Sequence, residues 1–237
     1  MSFNTLTPAV VSSDARPWTG VVWRMVEAQH TASTMKIVDD TEEQYLLEAL
    51  LEGNKPAQAA SAMALDYLLA TPFRYAPLRG GSRFRAINDP GVFYGAESVR
   101  TAGVELGYWR WRFLKDAVDL DRLEPVAHTA FSVDVSTQVV DLRAPPFNAE
   151  AAAWLHPSDY SASQAFSQVA RDAQVGGIQY QSVRDPNPAW CLAVLTPQAF
   201  AKRKPNPLMQ TWWLAVHQDA VIWRRDNASM SFTATGW

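Results

Sequence analysis

Breakers at Gly80-Gly81, Asp89-Pro90-Gly91 and Gly95 punctuate the chain before a proline-free run over residues 97–117. Such breakers exclude a continuous helix across residues 73–94 and leave room for short extended pieces joined by turns, whereas residues 97–117 read as one long helix. Arg83, Tyr94 and Glu105 fall across this stretch at intervals of eleven residues. A strand, turn, strand and helix in succession let an arginine, a tyrosine and a carboxylate converge on one anionic ligand.

The rest of the chain sets these residues in a mixed fold. Residues 1–20 hold Pro8, Ser12, Ser13, Pro17 and Gly20 without a period and read as an irregular lead-in to a strand at 21–26. Thr41-Glu42-Glu43-Gln44 has the capping-box form, Leu46, Leu47, Leu50 and Leu51 follow on one helical face, and Gly53-Asn54 ends that helix. Pro56 opens a second helix through Ala59, Met63, Leu65 and Leu68, stopped at Thr71-Pro72. Further strands are expected at 126–135, 137–142, 178–182 and 190–195, with a closing hairpin of 211–217 and 220–225 around Gln218-Asp219. Helices are expected at 161–175, with Ala165, Phe166, Val169 and Ala173 on one face, and briefly at 197–202. No regular βαβ repetition emerges, so the fold class is α+β with a mostly antiparallel or mixed sheet. The domain reading is one compact unit. Residues 1–72 supply an N-terminal arm, first strand and helical section packed on a core of residues 73–237.

Composition narrows the chemistry. The 237 residues, 48% hydrophobic and 19% charged, suffice for a core without staples. A net charge of -3 and a pI near 5.8 argue against nucleic-acid binding, which needs a clustered cationic excess larger than Lys202-Arg203-Lys204 or Arg224-Arg225. A nuclease is disfavoured by the same lack of a basic groove and by the lack of a carboxylate cluster for metal. Cys191, the single cysteine, excludes an intramolecular disulfide and a thiolate zinc cage, and its apolar neighbours mark it as a buried inert thiol. His30, His128, His156 and His217 lack the i, i+4 spacing of metal ligands. No basic leader followed by an apolar stretch opens the chain and no window approaches a membrane span, so the expectation is a cytoplasmic protein. Among ten tryptophans, the Trp109-Arg110-Trp111-Arg112 and Trp212-Trp213 runs read as core or, where exposed, as a partner surface.

Gly81-Ser82-Arg83, Tyr94-Gly95-Ala96-Glu97-Ser98 and Gly177-Ile178-Gln179-Tyr180-Gln181-Ser182 stand in the order and spacing of the RES-domain family, which the chain resembles from Arg74 to Pro197. That family is named for one arginine, one glutamate and one serine. Its members resemble NAD-consuming toxins of bacterial toxin–antitoxin pairs and look like divergent relatives of ADP-ribosyltransferases. The resemblance implies a split mixed or antiparallel sheet core clasping NAD, with flanking helices and, in this chain, an added N-terminal helical section. It places the family's arginine, tyrosine, glutamate and serine on Arg83, Tyr94, Glu105 and Ser182. In one respect the order departs from many ADP-ribosyltransferases, whose catalytic glutamate falls late in the chain; here Glu105 precedes Ser182.

The residue types suit those positions. A planar guanidinium holds a pyrophosphate by two parallel charge-assisted hydrogen bonds, the part given to Arg83. Tyr94 suits stacking on the cationic nicotinamide, worth ~0.5–2 kcal/mol, with Phe93 on the opposite strand face. Nicotinamide leaves as a neutral ring while positive charge develops on the ribose, so a carboxylate beside the sugar, Glu105, supplies the main electrostatic stabilisation. Ser182 donates to phosphate or ribose, or holds Glu105; no histidine adjoins it in sequence to make it a nucleophile. Glu97 is the rival carboxylate, although a helix entrance is also where an acid simply complements the dipole. Arg74, Arg85 and Arg184 either add positive potential or form surface pairs. NAD as substrate without a metal, a cognate antitoxin, and water or a protein as ADP-ribose acceptor complete what the resemblance implies. The reading from another class is a non-catalytic nucleotide-binding or interaction module that retains Arg83 and Tyr94 for ligand contact.

Overall fold

The computed structural model describes residues 6–28, 38–57, 60–75, 80–235 and 237. The lead-in is not irregular: Thr7 Oγ1 accepts the Val10 N–H and Pro8 occupies the first turn of α1 (Pro8–Asp14). Seven residues are too few to display a helical period, so only the cap carried the signal. Strand β1 (Arg16–Glu27) then begins five residues earlier than expected. Pro17 is tolerated there because it lies where β1 pairs on one edge only.

Helix α2 (Thr41–Gly53) forms, but its cap lies one residue before the expected Thr41, with Asp40 Oδ1 accepting the Glu43 N–H at 2.9 Å, and Tyr45, Leu46, Leu50 and Leu51 on it are exposed. The helix expected from Pro56 does not form. Ala60–Ala62 makes one 3-10 turn, and α3 (Tyr67–Arg74) starts where Asp66 Oδ1 accepts the Leu68 N–H at 3.0 Å, then continues through Pro72. A good cap outweighs the single backbone bond that Pro72 cannot make; Ala59 lies outside the described residues. The extended pieces expected over 73–94 reduce to one bridge, Ser82 with Arg85, and to β2 (Phe93–Ala96), with residues 76–79 outside the described set.

Helix α4 (Val99–Asp116) follows, and the two strands expected at 126–135 and 137–142 are one 19-residue strand, β3 (Leu123–Asp141), because no breaker separates them. Two short elements were not read: a 3-10 turn at Phe147–Glu150 and α5 (Ala151–Trp154). Helix α6 (Ser161–Asp172), β4 (Gly177–Gln181) and β5 (Trp190–Val194) match their expected positions, whereas the helix at 197–202 shrinks to a 3-10 turn at Pro197–Ala199. The closing hairpin, β6 (Gln210–Val216) and β7 (Ala220–Arg225), gains an unanticipated third strand, β8 (Ala228–Thr233).

These strands make one eight-stranded mixed sheet in the order β1-β2-β5-β4-β3-β6-β7-β8, with β1 also pairing β3. Every pairing is antiparallel except β3 with β4. β3 is the axis. One edge pairs β1 over twelve positions, while the other pairs β6 through Leu123–Ala130 and β4 only from Val139, leaving the sheet split between them. Strand alternation then sorts the apolar residues into two cores. Ala96, Ile178, Tyr180, Cys191 and Ala193 face α4 and α6; Val22, Phe93, Phe131, Val133, Leu192 and Val194 face α3 and Phe200. At Gly91 a Cβ would lie 2.2 Å from the Pro72 carbonyl, so α3 can pack there only against a glycine. Among the described residues no helix is long and apolar enough to cross a membrane.

Candidate functional site

Ser98 caps α4 by accepting the Thr101 N–H at 3.1 Å, which fixes the rotation of the helix. Ala102, Glu105, Leu106 and Trp109 consequently share one stripe at i, i+3, i+4 and i+7, facing the sheet. Opposite them stand Tyr94 on β2, Tyr180 on β4 and Cys191 on β5, and Tyr180 and Cys191 are direct cross-strand neighbours. Between helix and sheet lies a cavity of about 220 Å³.

The arginine turn is held from three sides. Gly81 at φ +82° allows Ser82 to bridge Arg85, and the Tyr94 hydroxyl accepts the Phe84 N–H at 3.0 Å and shares a 2.8 Å bond with Ser82 Oγ. From α6, Gln164 Nε2 donates to Ser82 O at 3.0 Å and Ser167 Oγ to Phe84 O at 2.7 Å. Arg83 is thereby turned inward and buried. One terminal nitrogen donates to the carbonyls of Trp154 at 2.7 Å and His156 at 3.0 Å, and the guanidinium lies 4.7 Å over the Tyr160 ring.

Ser182 follows β4 directly. Its hydroxyl donates to Glu105 Oε1 at 2.5 Å and accepts the Asp185 N–H at 3.1 Å. Asp185, its carboxylate buried, pairs with Arg100 and accepts from Thr101 Oγ1 at 3.1 Å, so the loop after β4 is tied to the first turn of α4. Arg184 enters the cavity from this loop: its guanidinium donates to the Pro157 carbonyl and sits 3.6 Å over the Tyr108 ring. Trp237 Nε1 donates to the Arg184 carbonyl at 3.1 Å from behind.

Burial dominates the electrostatics. It pushes the Glu105 carboxyl above the usual range; the Ser182 hydroxyl, then Arg83 and Arg184, oppose the rise, and Asp185 adds to it. The Cys191 thiol and the Tyr180 phenol are driven well above their ordinary values, burial again coming first. Arg24, which donates to the Tyr94 carbonyl at 2.9 Å, is lowered to about 10 by burial.

The structure gathers the four expected residues: Arg83, Tyr94 and Glu105 line the cavity, and Ser182 grips Glu105. Phe93 faces away, fully buried. Glu97, Arg74 and Arg85 contribute nothing to the wall: Arg85 is engaged by the carbonyls of Tyr75 and Asp89, and Arg74 by that of Pro56. Of the three accessory arginines only Arg184 is present. Arg184 lies on the loop beyond β4, two residues after Ser182, so only its nearness to Ser182 marks it in the sequence, and Trp109 is readable as one turn beyond Glu105. For Tyr160 and Arg24, brought in by a loop and by β1, the sequence offers no local cue. Among the described residues no group of three or more His, Cys, Asp or Glu converges as a metal site. A bonded carboxylate flanked by two guanidiniums and several aromatic rings is an arrangement suited to an anionic ligand with a flat ring.

No curated protein sequence matches the chain. Among solved structures it is similar to a chain in the crystal structure of the M. tuberculosis MbcT–MbcA toxin–antitoxin complex, with a TM-score of 0.50 and 14% identity over 98% of this chain and 94% of that one, a likeness of fold. The RES domain family model matches residues 58–217, a span that includes Arg83, Tyr94, Glu105 and Ser182, so the chain belongs to the RES-domain family.

Proposed function

We propose that this chain is the toxin of a toxin–antitoxin pair, and that it cleaves the nicotinamide–ribosyl bond of NAD and passes ADP-ribose to water or to a protein acceptor. The observation that carries the reading is the Ser182–Glu105 bond at the wall of a cavity lined by Glu105, Arg83 and Arg184. Family membership supports it, as does the fold likeness to a chain of a toxin–antitoxin complex. The sheet split along β3 accords with an ADP-ribosyltransferase-like core.

In this mechanism the C1′–N bond breaks, its electron pair leaves with nicotinamide, and positive charge spreads over C1′ and the ring oxygen of the ribose. Glu105 as an anion stabilises that charge across a poorly hydrated gap. The Ser182 hydroxyl, donating to the carboxylate, favours the ionised form and fixes its direction. Arg83 is oriented by two backbone carbonyls and keeps further N–H donors for the pyrophosphate, with Arg184 beside it. Because 220 Å³ falls short of the roughly 300–1,000 Å³ of pockets for drug-sized ligands, the cavity takes the reacting end of the dinucleotide while the adenosine lies along the surface.

The partner is a cognate antitoxin. Exposed Tyr45, Leu46, Leu50 and Leu51 on α2 offer apolar area for such contact. The protein acts where NAD is abundant, in the cytoplasm. Incubating purified, antitoxin-free protein with NAD and measuring free nicotinamide tests the proposal: release by the wild type that is lost in Glu105→Gln is expected. NAD binding seen by calorimetry without any release would overturn it in favour of a non-catalytic interaction module.

A further inference from the structure

Resting on the NAD reading, we infer that Trp109 is the stacking platform for the nicotinamide ring and so a specificity-determining residue. The cavity lining includes an apolar set from α4 and β1, Leu106, Trp109, Trp23 and Met25, beside the charged Arg83 and Arg184. Trp109 lines the cavity yet is 50% exposed, so its indole stands at the mouth with area in contact with both cavity and solvent. It follows Glu105 by four residues, which on a helix places the two side chains about 5–6 Å apart at Cβ on the same face. A carboxylate beside the ribosyl C1′ therefore has the indole one turn away, within reach of the flat ring bonded to C1′.

The ring is also held in place. Tyr108 meets Trp109 edge-on at 5.2 Å and is itself clamped beneath the Arg184 guanidinium at 3.6 Å. Nicotinamide in NAD is cationic until the bond breaks and neutral afterwards, so an indole face attracts the bound substrate more than the departing product. That difference assigns Trp109 to ground-state binding and to release. It also predicts discrimination against NADH, whose dihydronicotinamide is neutral and not fully planar.

The test uses the full chain. Trp109→Ala is expected to raise the KM for NAD about two- to thirty-fold, the range of a cation–π contact, while kcat changes less than threefold and Trp109→Phe restores most of the loss. In the Glu105→Gln background, which blocks turnover, calorimetry is expected to give tighter binding of NAD than of NADH, and Trp109→Ala to shrink that preference. An unchanged KM, or an equal loss of NAD and NADH affinity, overturns the assignment. Should the wild type release no nicotinamide, the cleavage reading fails on its own, and the calorimetric arm still decides whether Trp109 reads the ring.

Discussion

Replacing Ser182 with alanine removes the hydroxyl that donates to Glu105 at 2.5 Å and accepts the Asp185 N–H at 3.1 Å. Ser182 is only 3% exposed, so water does not readily take its place. A hydrogen bond to a charged group contributes about 1.5–3 kcal/mol, which corresponds to a loss of roughly ten- to 150-fold in the rate of nicotinamide release. Direction distinguishes this from simple damage. Burial already holds the Glu105 carboxyl above the usual range and the Ser182 bond is the strongest opposing influence, so without it the carboxyl moves higher still. The reaction needs the anion; activity therefore rises with pH, and in Ser182→Ala the rise is displaced to higher pH. The loss should be large near neutrality and shrink in alkaline buffer. Steady-state nicotinamide release measured across pH for both proteins, with circular dichroism confirming the fold, makes the comparison. An equal loss at every pH, or none, would refute the argument that Ser182 works by keeping Glu105 ionised.

A carboxyl raised on folding stabilises the fold while protonated and loses that contribution as pH rises through its folded value; Glu105→Gln should accordingly raise Tm relative to wild type more at pH 8 than at pH 4, read by calorimetric melts. Tyr94→Phe strands the buried Phe84 N–H, costing about 1–3 kcal/mol, and should lower Tm by roughly 2–12 °C for a chain of this size, with NAD turnover falling because the Arg83 turn loosens. Gly81→Ala combines a φ of +82° with a Cβ 2.0 Å from the Arg85 carbonyl, so it should impair turnover more than Gly53→Ala, where the added carbon meets nothing. The Cys191 thiol, buried and driven well above its usual titration range, should react with a thiol reagent at pH 8 only after denaturant is added, while Cys191→Ala keeps turnover within about threefold of wild type.

What could be read in the sequence was local or strictly periodic. The long helix carrying Glu105, the strand entering Ser182 and the hairpin of β6 and β7 rest on breakers, caps and alternation, and each emerged in place. Where short-range signals compete, the reading failed: Pro56 resembled a helix start, but Asp66 supplied the cap that prevailed, and Pro72 was absorbed rather than ending α3. The merging of two expected strands into β3 has a local half, the lack of a breaker between Val135 and Thr137, and a long-range half, the pairing of β1 across the join, which leaves no trace in the sequence nearby. The site divides similarly. The eleven-residue spacing of Arg83, Tyr94 and Glu105 works because a tight turn, a short strand and a helix rise return each residue to one cavity. Tyr160 and Arg24 arrive there only through tertiary pairing. The residue type of Tyr94 suggests ring stacking, whereas the side-chain bonds it makes are those of its hydroxyl, which secures the turn that aims Arg83.

β1 lies wholly upstream of residues 58–217, yet it supplies Trp23, Arg24 and Met25 to the cavity and covers twelve positions of β3. A fragment trimmed to the matched span would thus be missing part of one wall of its own cleft. It would also bare a long row of unpaired amides and carbonyls along β3, and such edges recruit other chains. Because the fragment also lacks β7 and β8, its insolubility would report the amputation of three strands, and its inactivity would say nothing about Arg83, Glu105 or Ser182.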